Sequence, residues 1–349
     1  MRRNDRLELR SSFLQMAHRG RRIRTAEAAQ ALGVTELDLL DTFPEYVRPL
    51  RADFHGLFQA LGHLGVLLGL TRNQYAVIEC QGEYRPYAYS GHAALVLGDA
   101  IDLRLALRRF AFARFVSTPN LLRLPGGVMF FDAWGCALHK VFFTSETPGA
   151  AQQELLEEFG TSETEHVQTA YPGASIQPTA SEAPASPVDA EALRRAWAGM
   201  RDTHDIFGLL RRFRLSRLQA LHRLGPSWAV PAKPEALWEL LQAVASSELP
   251  IMVFVGNRAV TQIYKGRIGR TAVAGDWWNV LDAKFNLHVQ RSALGQSWVV
   301  RKPVPEGHVT SLEVFDRDGD LLVQVFSYRR PGTEESAEWR ATLDRIAAR

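Results

Sequence analysis

The strongest constraint on the fold is that the chain matches itself. Asn73 and Gly82 in TRNQYAVIECQG recur as Asn257 and Gly266 in VGNRAVTQIYKG. Phe131, Asp132, Gly135 and Val141 in MFFDAWGCALHKVFF recur as Phe315, Asp316, Gly319 and Val325 in EVFDRDGDLLVQVFS. All these pairs share one offset of 184 residues, and AIDLRLAL stands beside VLDAKFNL at a slightly different one. A fixed long-range spacing marks a duplicated structural unit. At 349 residues the chain is also too long for one ordinary domain and long enough for two, each with its own core.

The stretch from Thr161 to Val188, TSETEHVQTAYPGASIQPTASEAPASPV, is rich in Ser, Thr, Ala and Pro and follows neither hydrophobic period. It reads as an exposed linker, which gives an N-terminal repeat over 1–160, a linker over 161–188 and a C-terminal repeat over 189–349. In both repeats, apolar and β-branched runs such as Tyr75 to Glu79, Val128 to Phe131, Ile251 to Val255, Ser297 to Val300 and Leu321 to Phe326 are separated by turn signals such as Asp318-Gly319. These predict antiparallel strands. Helical patterns precede them: Thr25 to Leu32 with Thr35 to Leu40, and Ala190 to Leu210 with Pro234 to Ala245. The expected class is α+β, two tandem copies of a domain with helices first and sheet afterwards.

Composition enters mainly by exclusion. No apolar run approaches the roughly 20 residues of a membrane span, and Met1 to Arg10 lacks the apolar core of a secretory signal, so a cytoplasmic location is expected. The two cysteines, Cys80 and Cys136, form no CxxC pairing, which argues against disulfide scaffolds and cysteine-held metals. Histidines 18, 55, 63, 92, 139, 166, 222, 288 and 308 fall in no ligand spacing such as HExxH. With 41 basic and 38 acidic residues, charge does not call for a nucleic-acid partner.

One histidine stands apart. After Asp189, a plausible N-cap, the segment runs EALRRAWAGMRDTHDIFGLL, and Leu193, Trp197, Met200, His204 and Phe207 are spaced four, three, four and three apart. That spacing predicts His204 on the apolar stripe of a helix, facing inward. Position alone favours a core histidine with satisfied nitrogens over a metal ligand.

Resemblance shifts that balance. The blocks MRDTHDIFGLLRRFRLSRLQAL, PIMVFVGNRAVTQIYKG, WWNVLDAKFNLHV, SWVVRKPVPEGHVTSLEVFDRDG and RRPGTEESAEWR are similar, in order and spacing, to the HemS/ChuS family of bacterial haem-utilisation proteins. TRNQYAVIECQGEY, HAALVLGDAIDLRL and MFFDAWGCALHKVFFT resemble the family's first-half blocks, so the likeness runs from about Thr25 to Trp339.

The resemblance implies haem b, iron protoporphyrin IX, held in a cleft between the repeats with His204 as the iron ligand. It also implies Arg104, in the IDLR block, as the distal arginine. Arg217, Lys302 and Arg329 become basic partners of the haem propionates, with Gln324 beside them and Met252 and Phe254 as apolar floor. Three positions depart from the family pattern: Ala106 where an aromatic is common, Phe326 where a propionate-binding tyrosine is common, and Ile78 in place of a histidine. The implied role is haem uptake and iron acquisition, sequestering haem and passing it on, with a haem oxygenase or a haem-uptake transporter as possible partner. A haem-degrading enzyme that opens the porphyrin remains an alternative. A DNA-binding regulator is a third, since RRIRTAEAAQALGVTELDLL resembles a helix-turn-helix; a structural helix pair explains that stretch better, because the family carries a similar one.

Overall fold

A computed structural model of the chain describes residues 3–18, 24–91, 93–117, 126–162, 189–329 and 332–347, so nearly all of the expected linker lies outside the described residues. Two compact units are present. The first takes its described residues from Met1–Arg72, Glu79–Ile176 and Asn257–Gln262, the second from Asn73–Ile78, Gln177–Gly256 and Ile263–Arg349. The two short pieces, 73–78 and 257–262, correspond at the offset of 184. The repeats thus exchange one segment reciprocally.

Each unit is α+β with the same strand order. In the first unit it is Val47–Leu50, Phe112–Val116, Gly127–Phe131, Ala137–Phe143, Leu67–Arg72 and the C-terminal part of Ala76–Gly82. In the second it is Ala229–Ala232, Leu294–Val304, Gly307–Asp316, Leu321–Ser327, Ile251–Gly256 and the C-terminal part of Val260–Gly266. Each unit adds an antiparallel three-stranded meander: Tyr87–Tyr89, Ala94–Leu97 and Asp102–Leu105 in one, Thr271–Ala274, Trp277–Leu281 and Phe285–Gln290 in the other.

Three of the pairs that recur between the halves have backbone duties. Asp132 Oδ1 accepts the Trp134 and Cys136 amides at 2.8 and 3.0 Å, and Asp316 Oδ1 accepts those of Asp318 and Asp320 at 3.0 and 2.8 Å. Gly135 and Gly319 close the two hairpins at φ +77° and +90°, a region that disfavours any Cβ. Asn73 sits at the exchanged segment. Its Oδ1 accepts the Tyr75 and Ala76 amides, and its Nδ2 donates to the carbonyls of Gly256 and Leu322. Asn257 repeats the pattern with the Ala259 and Val260 amides and the carbonyls of Arg72 and Leu138. Only an amide offers both acceptor and donors in this geometry.

Helices differ from the sequence reading in two ways. They also follow strands: Phe54–Leu61 comes after Val47–Leu50, and Gly149–Phe159 and Ala337–Ala347 follow the last strand of each repeat. Moreover, the expected helix from Ala190 to Leu210 is two helices, Ala190–Ala198 and Asp205–Phe213. The helix pair Thr25–Ala31 and Glu36–Leu40 is built into the core of the first unit, with Ala28, Ala29, Leu37, Leu39 and Leu40 buried. Its second helix therefore offers no free reading face. The N-terminal helix Arg3–His18 places Leu9 and Phe13 in the same core, against Met129 and Phe142, with Leu68 and Leu70 packed alongside.

Replacing either Asn73 or Asn257 by Ala should lower stability by about 1–3 kcal/mol, the cost of unpaired, partly buried amides and carbonyls, read as a shifted urea midpoint. An unchanged midpoint would remove the role given to these side chains.

Candidate functional site

In the second unit, strand alternation sorts side chains cleanly. Ile251, Val253, Val255, Leu312, Val314, Val323 and Val325 share one sheet face and are all buried. Met252, Phe254, Ser311, Glu313, Gln324 and Phe326 share the other, because Met252 pairs with Phe326, Phe254 and Glu313 with Gln324, and Ser311 with Phe326. Helices Ala190–Ala198, Asp205–Phe213 and Arg217–Leu224 cover part of this second face through Leu193, Trp197, Ile206 and Leu221, packed on Trp298 and Val300. Met252, Phe254, Gln324 and Phe326 stay half-buried. Phe254 and Phe326 meet edge to face at 5.0 Å.

A polar cluster lies on this face around Glu313, whose side chain is fully buried. Arg217, from the first turn of its helix, grips it through Nε at 2.6 Å and Nη2 at 2.9 Å. Lys302 Nζ reaches Glu313 Oε1 at 2.5 Å and Ser311 Oγ at 3.0 Å, and Gln324 Nε2 donates to Oε1 at 3.0 Å. Burial alone would raise the Glu313 carboxyl, but the charges of Arg217 and Lys302 outweigh it and hold it down at about 2. Burial pulls Lys302 down to about 8, with Glu313 opposing. Two cations against one carboxylate leave the cluster with one net positive charge while Lys302 is protonated. The Lys302 ammonium also lies 4.8 Å over the Phe326 ring, a cation–π contact.

His204 is placed differently from the sequence reading. Gly199 caps the helix Ala190–Ala198, and the turn that follows is held by carboxylates: Asp205 Oδ2 accepts the Arg201 and Asp202 amides, and Asp202 Oδ1 accepts the His204 amide. The chain therefore stops being helical before His204, which becomes the N-cap residue of Asp205–Phe213 with a side chain 79% exposed. It faces outward, and the four-three-four-three spacing does not describe one helix. Trp197 and Met200 are buried, and Phe207 is exposed.

His204 Nδ1 lies 2.6 Å from Asp202 Oδ1. An ionised carboxylate only accepts, so Nδ1 carries a proton, and in the neutral ring Nε2 is the nitrogen with the free lone pair. Hydrogen bonds from His204 lower the Asp202 carboxyl, and Arg329 adds to this electrostatically. Ile206, two residues on, packs in one cluster with Trp298 and Val300, which sets the His204 turn beside that sheet face. His139 makes the contrast plain. It is buried with Nδ1 on Thr71 at 2.8 Å and Nε2 on Tyr84 at 2.7 Å, and burial pulls it down to about 3. That ring is structural, whereas among the described residues none bonds Nε2 of His204.

The family model for the haemin-degrading HemS.ChuX domain matches residues 33–159 and again 214–346, more than half of the chain. The chain belongs to the HemS/ChuX family. Over 324 residues it is 35% identical to the hemin transport protein HemS of Yersinia enterocolitica, covering 92% of both chains. Its fold matches holo-PhuS, a haem-binding protein from Pseudomonas aeruginosa, with TM-score 0.91 and 36% identity over 98% of this chain and 99% of that one. It also matches ChuS, a haem-degrading enzyme of Escherichia coli O157:H7, with TM-score 0.89 and 29% identity over 98% and 99%.

Among the residues that HemS resemblance singles out, Arg217, Lys302 and Gln324 come together on Glu313, and Met252 and Phe254 share their sheet face. Arg329 stands by the His204 turn, with Nη1 3.3 Å from the Thr333 carbonyl. Arg104 belongs to the first unit, where it is ion-paired with the buried Asp102 and also meets the Leu103 carbonyl at 3.2 Å. Ala106 donates its amide to the Ala259 carbonyl, and Ile78 is fully buried. Sequence reading missed Glu313, Ser311 and Asp202. The DTHD run after Gly199, a turn composition, was the available signal for the last.

Glu313→Gln leaves buried Lys302 and half-buried Arg217 without a counter-charge and should cost about 3–5 kcal/mol in urea unfolding. Because the folded carboxyl titrates at about 2 against 4.5 for a free one, its contribution is whole above pH 4.5 and is lost as pH falls toward 2. The variant's stability should be flatter in that window, and an acid limb identical to the parent's would contradict the assignment.

Proposed function

We propose that this chain binds haem through His204 Nε2 and serves haem uptake and iron acquisition in the cytoplasm, holding the cofactor and handing it on. The observation that carries this reading is the Asp202-fixed imidazole with its free Nε2 beside a half-open apolar face, in a relative of the haem-binding PhuS. Neutral imidazole with its second nitrogen on a carboxylate is the state in which histidine ligates iron best, since the partner fixes the tautomer and raises basicity. Met252, Phe254 and exposed Phe207 supply apolar and aromatic surface for a porphyrin. Arg329, and the net positive Arg217–Lys302–Glu313 cluster, suit propionates of iron protoporphyrin IX. Arg104 is assigned the distal side, where a guanidinium hydrogen-bonds an iron-bound oxygen ligand. The acceptor is a haem oxygenase, or the donor a haem-uptake transporter.

Degradation is the second reading, favoured by the likeness to ChuS. A physiological reductant in the presence of catalase separates the two: a defined tetrapyrrole product assigns an enzyme, and loss of turnover with catalase assigns carriage alone.

Titrating the apo protein with haemin at the Soret band should reveal a high-affinity site that His204→Ala removes. Asp202→Ala should weaken the same site by about 10–100-fold while keeping the ligand. A high-affinity site unchanged in His204→Ala would sink the proposal.

A further inference from the structure

Each repeat carries the same corner, made by a hairpin and a neighbouring turn, but with opposite chemistry. In the first unit the Ala106 amide donates to the Ala259 carbonyl at 2.8 Å, and in the second the Gln290 amide donates to the Tyr75 carbonyl at 2.9 Å. These partners correspond at the offset of 184, so the two corners match position by position.

The first corner is basic and projects an indole. Trp134, 48% exposed, stands in the hairpin turn between Gly127–Phe131 and Ala137–Phe143. Arg258 lies 4.6 Å over its ring and is ion-paired with the buried Asp132. Burial, and then the like charge of Arg109, pulls the Arg258 guanidinium below the usual arginine range, so a second cation stands close by. Arg108 and Arg109 are exposed, and among the described residues neither is in an ion pair.

The turn itself does not require tryptophan. It is closed by the Gly135 amide on the Asp132 carbonyl at 3.0 Å, and its counterpart by the Gly319 amide on the Asp316 carbonyl at 3.3 Å, with Asp318 in the place of Trp134. An exposed tryptophan stacked by arginine joins two of the residue types most enriched at binding hot spots.

The second corner offers the reverse. It holds a recess of about 240 Å³ lined by Tyr75, Gln290, Ser292, Ala293, Arg317 and Asp318. Ser292, Ala293 and Gln74 stand where the first corner has Arg108, Arg109 and Arg258. Burial and the like charges of Asp316 and Asp318 push the Asp320 carboxyl up, so three carboxylates crowd this hairpin. Asp276 adds another beside the recess, where its Oδ1 accepts the Ser292 amide at 3.0 Å. Like charges repel within each corner, and a surface of the other sign relieves both.

We propose that the two corners fit each other between copies of this chain: Trp134 of one copy enters the recess of the next against Tyr75, while Arg108 and Arg109 face Asp318 and Asp320. Projection and recess are different patches, so the contact is heterologous. One corner suits a reversible contact rather than a permanent one. The proposal does not rest on haem being the ligand.

The test is sedimentation velocity of the full-length protein over rising concentration at about 0.01 M ionic strength, where charges are weakly screened. The parent should form reversible dimers or larger species whose share falls as salt is added. Trp134→Asp, the residue its counterpart carries, removes the projection, and Asp318→Arg removes the acidic rim. Each should weaken self-association by more than about tenfold. Both positions are exposed in turns, and matching circular dichroism melts check that the fold is kept. Mixed in equal amounts, the two variants should recover a complex of one copy each, because one keeps the recess and the other the projection. A parent that stays monomeric throughout, association that salt leaves unchanged, or variants that associate like the parent would each overturn the proposal. An equimolar mixture that stays monomeric while the parent associates would do the same.

Discussion

Two asparagine side chains hold the architecture together. Asn73 and Asn257 each join two amides of their own turn to two carbonyls, and each lies in the piece of one repeat that belongs to the other's unit. Exchanging a segment requires that backbone groups leaving one set of partners find another, because unpaired polar groups inside protein are costly. The amide does this on both sides of the exchange.

The second unit uses its sheet asymmetrically. Valine, isoleucine and leucine close one face, while the other mixes aromatic rings with a buried carboxylate held by arginine, lysine and glutamine. Such a cluster is a poor device for stability, since apolar packing of equal volume would do as well or better. Its presence on the half-open face is therefore more informative about chemistry than about folding. The same logic separates the histidines. His139 has both nitrogens engaged inside the core, whereas His204 has one nitrogen fixed and the other facing outward.

Much of this was legible in the residues. The repeat, the α+β class and the strand positions were readable because aspartate, glycine and asparagine recur where hairpins and crossings force them to. The exchange itself was not, since an asparagine bonded to its own repeat and one bonded to the other have the same local sequence. The four-three-four-three spacing misled at His204 because apolar periodicity continues across Gly199 although the helix does not. Residues Lys302 and Gln324 were picked out by resemblance, but their common partner Glu313 reads in isolation as an ordinary strand glutamate. Burial of a charge depends on what other segments bring to it, and periodicity within one segment carries no record of that.

The N-terminal helix also separates the two repeats. Leu9 and Phe13 occupy the sheet surface around Leu68, Leu70 and Phe142, the counterparts of Met252, Phe254 and Phe326. One copy of the duplicated surface is stoppered by the helix Arg3–His18 while its twin stays half-open. A shortened protein beginning after His18 would uncover a greasy patch with nothing to sit on it, and self-association would follow from the trimming.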